Sequence, residues 1–157
     1  MELYPAVQRK APEGIDRVLD PNKLPKFDDR NKLPYIDAMV KETLRWHPIG
    51  PMGVPHLVTE DDIYEGYLIL KGALILPNIW YIELSQDAEF HPFQYIFNHH
   101  RRFTHDPNAY CDPEASIPER FLGDNPELDP HTIAFGFGRR ICSGRLLADS
   151  TVFLRIA

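Results

Sequence analysis

The residue with the clearest chemical potential in this chain of 157 residues is Cys142, which lies in a stretch rich in glycine and arginine. Residues 135–144 read Phe-Gly-Phe-Gly-Arg-Arg-Ile-Cys-Ser-Gly, and an apolar helical pattern follows from Leu146. Glycine lets backbone amides turn toward a single sulfur, and the positive end of the following helix favours a negative charge there. Both effects favour the thiolate. The pattern predicts a cysteine that is either a nucleophile or a metal ligand.

The spacing Phe-x-x-Gly-x-Arg-x-Cys-x-Gly resembles the haem-binding loop of the cytochrome P-450 family, the haem-thiolate monooxygenases. All five fixed positions are matched, by Phe135, Gly138, Arg140, Cys142 and Gly144. The resemblance implies that Cys142 is the axial ligand of iron in haem b (heme), where electron donation by the thiolate favours O–O cleavage. It also implies that Arg140 pairs with a haem propionate and that Phe135 keeps water from the sulfur. The alternative, a buried free cysteine beside a glycine turn, leaves five matched positions unexplained.

Three charged residues are candidates for a structural network. Glu42 and Arg45 lie three residues apart in a helical pattern, so they share a helix face and can form an ion pair. Alone this is an ordinary surface pair worth a few tenths of a kcal/mol. A Pro-Glu-Arg-Phe stretch that contains Arg120 follows later, and the order of the two motifs resembles that of the same family. The resemblance implies a buried network of Glu42, Arg45 and Arg120 that holds the cysteine loop in place without taking part in catalysis.

The extended stretch after the second helix is predicted to face the cofactor and the substrate. By the same resemblance, His56 occupies a position that often contacts a haem propionate, while a plain surface histidine is the alternative. Ile49 to Gly53 would face the substrate. These residues are small and apolar, which fits a small apolar organic substrate without naming one.

Composition and charge exclude several classes of function. The chain has 17 Lys and Arg against 23 Asp and Glu, a net charge of −6, and no basic stripe, so nucleic-acid binding has no electrostatic support. We expect no membrane segment, because no apolar run approaches the ~20 residues of a span, and no signal peptide. Cys111 and Cys142 fit no disulfide framework, and Cys111 is predicted to be a free thiol.

The sequence pattern predicts helices joined by loops around a small sheet. Apolar periodicity favours helices from Glu2 to Leu19, interrupted at Pro12 and Gly14, from Tyr35 to Trp46, and from Gly144 to Ala157. Ile63 to Leu76 is predicted to be a hairpin that turns at Lys71-Gly72, and Pro107 to Pro130 an irregular meander. The fold class is therefore mixed α+β and mainly helical. By resemblance it is the C-terminal part of the cytochrome P-450 fold, with helices, small antiparallel sheet, meander and cysteine loop in residues 1–157 forming a partial domain.

Residues 81–101 interrupt the spacing that the family resemblance implies. Either they form a lineage-specific surface loop, or they are a retained intron translated in frame, which we favour. A tryptophan codon ends in G and a tyrosine codon begins with T, so a GT donor necessarily spans Trp80-Tyr81. If Arg101 is encoded by AGG, the acceptor is present too, and splicing would join Trp80 to Arg102 and restore the spacing.

The resemblance implies a haem-dependent monooxygenase that inserts one oxygen atom of O2 into an organic substrate, with electrons from a reductase. Complete members are about three times longer, usually anchored in the endoplasmic reticulum membrane, and carry a distal helix that delivers protons to oxygen. No catalytic residue of that helix is identified here, so we expect this chain alone to be inactive. The alternatives are a non-catalytic fragment that binds haem weakly or not at all, and a peroxide-dependent peroxygenase.

Overall fold

The computed structural model describes residues 3–20, 22–48, 50, 54–76 and 104–157. Within these ranges the α-helices are α1 (Pro5–Asp16), α2 (Pro34–Trp46), α3 (His131–Ala134) and α4 (Arg145–Ile156). Three 3-10 helices lie at Phe27–Lys32, Pro118–Phe121 and Gly138–Arg140. The short strands are β1 (His56–Leu57), β2 (Asp62–Tyr64), β3 (Tyr67–Ile69) and β4 (Leu74–Ile75). The prediction of a mainly helical α+β fold is confirmed.

Two sequence-based predictions fall on residues that the structure does not describe. Of the stretch expected to face the substrate, Ile49 to Gly53, the described ranges include Gly50 alone. The expected insertion at residues 81–101 lies entirely outside them. Both therefore remain predictions from the sequence.

Helix α2 is the centre of the packing. Its apolar face buries Ile36, Met39, Val40 and Leu44 in a cluster with Phe153 of α4, which is itself fully buried. This is the face that the helical spacing of the apolar residues predicts, because residues three and four apart project from the same side. Burial of each such side chain contributes about 1.5–3 kcal/mol, so α2 and α4 are held together mainly by this cluster.

Helix α1 continues through the position where an interruption was expected. It begins at Pro5 and contains Pro12, yet it remains helical to Asp16. Pro12 removes one backbone donor, but the neighbouring Ala11 is buried in the cluster around α2, and tertiary packing commonly outweighs intrinsic propensity. None of the helices in the described ranges has the length and apolar character needed to cross a bilayer.

The strands form two antiparallel pairs, and the tight turn is not where the sequence pattern placed it. Strands β2 and β3 pair across Glu65-Gly66, whereas β1 pairs with β4. Glu65 and Gly66 have φ of 50° and 84°, as a hairpin turn that matches the strand twist requires. The expected turn at Lys71-Gly72 instead connects β3 to β4, where the Gly72 amide donates to the Val58 carbonyl.

Candidate haem-ligating loop and its supporting network

The cysteine loop, residues 135–144, connects α3 to α4 and is closed by a backbone hydrogen bond. The Cys142 amide donates to the Phe135 carbonyl at 2.8 Å, which brings the two ends of the motif together. Gly136 and Gly138 have φ of 78° and 55°, a region that residues with a Cβ rarely adopt. The loop therefore needs glycine at both positions, and Gly136 is a requirement that the motif did not include.

The Cys142 thiol is exposed and lies directly before the N-terminus of α4. A Cβ built on Gly144 would meet the Cys142 Sγ at 3.8 Å, which is ordinary contact, so a side chain longer than alanine would begin to cover the sulfur. Cys111 is also exposed and free, as predicted. It lies in the meander, where its carbonyl accepts a hydrogen bond from Arg120.

The surroundings of Cys142 fit a flat apolar group that carries anionic substituents. Arg140 is exposed and makes no hydrogen bond or ion pair with any described residue, so its guanidinium can accept an anionic partner. Three apolar residues within five positions of Cys142 in the sequence, Phe137, Leu146 and Leu147, expose 53%, 72% and 74% of their surface. A haem would need a ligand for its iron from the protein, and the accessible sulfur of Cys142 could supply it.

Phe135 and His56, which are also predicted to bind the cofactor, differ in burial and in their contacts. Phe135 is half-buried, packs against the cluster around α2 and stacks on the ring of His131 with 6.0 Å between ring centroids. His56 is exposed in β1, and no hydrogen bond or ion pair joins its side chain to the cysteine loop within the described residues. The structure brings Phe135 and Cys142 together and leaves the role of His56 as a prediction.

Arg45 lies at the centre of a buried network. Its side chain is fully buried, and its Nε and Nη2 donate to the two carboxylate oxygens of Glu42 at 2.8 and 2.9 Å. The remaining donors reach the carbonyls of Thr104, Pro113 and Ala115 at 2.8 to 3.0 Å. All five N–H groups of the guanidinium therefore have a partner. A buried charge must be paired and hydrogen-bonded, and Arg45 meets this condition. Its bonds to Pro113 and Ala115 hold the meander against α2.

Arg120 joins the same network from the meander. Its Nε lies 3.4 Å from Glu42 Oε2, close enough for an ion pair but without a hydrogen bond. Its Nη1 donates to Glu127 Oε2 at 2.6 Å, and Ala115 accepts from both Arg120 and Arg45. The structure therefore brings together Glu42, Arg45 and Arg120, and it adds Glu127 as a second carboxylate that the sequence analysis missed.

Tyr110 is a further member that sequence reasoning missed. Its ring lies close to both arginines, with Arg45 Cζ at 5.2 Å and Arg120 Cζ at 5.9 Å from the ring centroid. Its hydroxyl donates to the Leu128 carbonyl at 3.0 Å. Burial raises the pKa of Tyr110 to about 12, although Arg45 nearby acts in the opposite direction. No local pattern marks this tyrosine, because its partners come from α2 and from the end of the meander.

A cavity of about 350 Å³ lies away from the cysteine loop. It is bounded by residues of α1, α2 and the end of α4, including Val7, Trp46 and Ile156. None of the predicted cofactor-binding residues lines it, whereas Glu42 of the network does. The cavity is therefore not the site that the motif defines.

The described fold places one exposed cysteine before a helix, and a buried ion-pair network joins α2 to the meander that precedes the cysteine loop. The sequence profile of the cytochrome P450 family matches residues 1–102 and 96–157. The chain belongs to the cytochrome P450 family.

Curated relatives from fungi match along the whole chain. Cytochrome P450 monooxygenase claR of Ampulloclitocybe clavipes is 52% identical over 160 residues, which cover 100% of this chain and 26% of the relative. The O-methylsterigmatocystin oxidoreductase of Aspergillus flavus is 50% identical over 157 residues, covering 98% of this chain and 26% of that protein. Cytochrome P450 monooxygenase 208 of Postia placenta is 44% identical over 160 residues. The chain spans about a quarter of the length of the curated relatives it matches.

Proposed function

We propose that this chain contributes the haem-thiolate portion of a monooxygenase, with Cys142 as the axial ligand of the iron. The observation that carries the proposal is the exposed thiol of Cys142 at the end of a loop closed by the bond from its amide to Phe135. A ligand must be accessible and held in a fixed position, and this cysteine meets both conditions. When bound, the haem would supply the activation of dioxygen, which thiolate ligation favours.

Besides Cys142, four residues of the loop and His56 have proposed roles in holding the cofactor. Arg140 would bind a haem propionate through charge-assisted hydrogen bonds. Phe135, half-buried beside the loop, would exclude water from the sulfur. Gly138 and Gly144 would allow the backbone to turn and the cofactor to approach. His56 is proposed as a second propionate contact from β1, which places it outside the loop.

The network of Glu42, Arg45 and Arg120 is proposed to be structural. Its contacts are with each other, with Glu127 and with backbone groups of the meander, and none is directed toward Cys142. Its effect on function would therefore be indirect. It fixes the meander that leads into α3 and so determines where the cysteine loop begins.

Monooxygenation itself would belong to a protein of the length of the relatives, with a reductase as electron donor and a small apolar molecule as substrate. This chain covers 26% of such a relative, so we propose that it does not complete the reaction alone. The chain supplied with haem, a reductase and reductant should give no product coupled to electron consumption. Reproducible turnover that depends on Cys142 would contradict this part of the proposal.

The cofactor assignment is tested by titrating ferric haem into four variants. Cys111→Ser retains one thiol and should bind haem with the sulfur-to-iron charge-transfer absorption. Cys142→Ser, which retains the other thiol, should lack that absorption. Arg140→Met should weaken binding by about tenfold, equivalent to the loss of one charge-assisted contact, and Arg139→Met serves as its exposed neighbouring control. Equal behaviour of the two cysteine variants would reject the assignment.

A further inference from the structure

Six charged side chains form a closed cycle of ion pairs that includes Asp37 and Lys41 of α2. Anions and cations alternate around the cycle, and each side chain contacts the next. Its members, in order, are Asp129, His131, Asp149, Arg30, Asp37 and Lys41, which returns to Asp129. The cycle joins five parts of the chain: the first 3-10 helix, α2, the end of the meander at Asp129, α3 and α4.

The geometry at His131 requires the charged form of the side chain. Its Nδ1 lies 2.7 Å from Asp129 Oδ1, and its Nε2 lies 2.7 Å from Asp149 Oδ1. A neutral imidazole carries a single N–H and would direct a lone pair at one of the two carboxylates. Only an imidazolium can donate to both. The cycle then contains three cations and three anions.

His131 also connects the two flanks of the cysteine loop. It is the first residue of α3, which leads into the loop, and Asp149 lies in α4, which leaves the loop. This one hydrogen bond joins residues 18 positions apart and encloses all of residues 135–144. The ring of His131 further stacks on Phe135, whose carbonyl accepts the Cys142 amide. A shift of His131 would therefore move both ends of the loop.

We propose that His131 is a positioning residue for Cys142: by bridging Asp129 and Asp149 it holds α3 against α4 and so fixes the loop that presents the thiolate. His131 does not touch the cofactor in this proposal. The inference rests on the proposed function for its meaning, since a fixed thiolate matters only if Cys142 is a ligand. The bridging geometry itself is independent of that function.

The electrostatics of the cycle agree with this role. The hydrogen bond to Asp129 raises the pKa of His131, burial opposes the shift, and the bond to Asp149 adds to it. Burial would raise the pKa of Asp149, but hydrogen bonds from Arg30 and His131 hold it below its usual value. The charged groups around His131 are thus Asp129 and Asp149 in contact, with Arg30 and Lys41 one step further along the cycle and Asp37 between those two. Deprotonation of His131 leaves three carboxylates facing two cations.

The test compares substitutions that remove the hydrogen bond between α3 and α4 with substitutions that remove a charge elsewhere in the same cycle. His131→Gln and Asp149→Asn interrupt the bridge between α3 and α4. Lys41→Gln and Asp37→Asn each remove one charge from the same cycle, but their direct contacts include no residue of α4. All four are made in the Cys111→Ser background. Amide hydrogen exchange of Cys142 then reports on the loop without any cofactor, and the amide of Val40 in α2 reports on the fold as a whole.

We expect the bridging variants to raise the exchange rate of the Cys142 amide by about tenfold, with the Val40 amide and the two control variants changed by less than about twofold. His131→Arg, which can donate to both carboxylates, should restore protection. Equal exchange in bridging and control variants would overturn the proposal. So would a rise at Val40 as large as at Cys142, because it would show a general loss of stability.

A second measurement separates this inference from the proposed function. In haem-loaded protein, His131→Gln should lower the fraction of reduced, carbon monoxide-treated sample that shows the thiolate-type Soret band, while Lys41→Gln should not. An unchanged thiolate fraction in His131→Gln would count against positioning. If the unsubstituted chain shows no thiolate band, the proposed function fails, and hydrogen exchange still decides whether His131 positions the loop.

Discussion

Replacement of Arg45 by methionine should be among the most destabilising single changes in the described part of the chain. The guanidinium is fully buried, and its five donors reach both oxygens of Glu42 and the carbonyls of Thr104, Pro113 and Ala115. Methionine fills much of the volume but leaves the Glu42 carboxylate without its bidentate partner and the buried Thr104 carbonyl without a donor, whereas the Ala115 carbonyl still accepts from Arg120. Breaking a buried ion pair costs about 3–5 kcal/mol, and a single unpaired buried carbonyl adds about 1 kcal/mol. The expected loss is therefore about 4–6 kcal/mol, close to the entire stability of a marginal domain.

The assay is urea unfolding followed by circular dichroism, with Arg17→Met as the matched control. Arg17 also pairs with a glutamate on its own helix, but its side chain is 78% exposed and lies 3.8 Å from Glu13. An exposed pair of this kind contributes little, so the control should unfold at the same urea concentration as the parent chain. A loss below about 1 kcal/mol in Arg45→Met would refute the argument, because it would mean that water satisfies the carboxylate and carbonyl acceptors that Arg45 leaves behind.

Three further predictions rest on the described contacts, and a fourth rests on the sequence. Tyr110→Phe should lower the free energy of unfolding, measured in urea, by about 1 kcal/mol. In the parent chain, phenolate absorbance should show Tyr110 ionising near pH 12, after the exposed tyrosines. Ionisation of Tyr110 together with the exposed tyrosines would contradict its burial. Burial alone would raise the pKa of Asp129, but hydrogen bonds from the side chain and backbone of His131 hold it below its usual value. The ionised carboxylate should therefore contribute its full stabilisation of the fold near neutral pH and lose it as the pH falls through the folded-state pKa. Asp129→Asn should not show this loss in acid. The pKa of His131 is raised, so the pH dependence of its contribution to stability is the reverse: the stabilisation is present below pH 6.5 and is lost as the pH rises through the folded-state pKa. His131→Gln should remove this pH dependence. Finally, transcripts should join the Trp80 codon directly to Arg102 if the intervening residues are a retained intron; reads that cross the segment without splicing would favour a genuine loop.

The elements that the sequence predicted well are those with strong periodic patterns. The apolar spacing along α2 marks both the helix and the face that it buries, because a helix must place its apolar residues on one side. Helix α4 was also predicted, but Leu146 and Leu147 remain exposed and Phe153 carries its burial. The motif around Cys142 likewise has local causes, since glycines at φ of 78° and 55° are needed wherever that turn is made. The four-residue helix α3 was missed, because so short a segment carries no periodic signal.

What could not be predicted depends on pairs that are distant in the sequence. Asp149 and Arg30 are 119 residues apart and form an ion pair, and no pattern near either residue indicates the other. The same holds for Tyr110, which acquires its partners only when the meander folds over α2. The hairpin turn was misplaced for a different reason: Lys71-Gly72 and Glu65-Gly66 are both acceptable turn sequences, and only the strand pairing decides between them.

The assignment of Cys142 as a ligand of haem iron is tested most directly by the absorption spectrum of the reduced, haem-loaded chain under carbon monoxide. The thiolate at this position predicts the red-shifted Soret band in the parent chain and in Cys111→Ser, and loss of that band in Cys142→Ser. Both cysteines are free and exposed, so the two substitutions are matched in everything except their position in the fold. Loss of the band in Cys111→Ser, with retention in Cys142→Ser, would contradict the account.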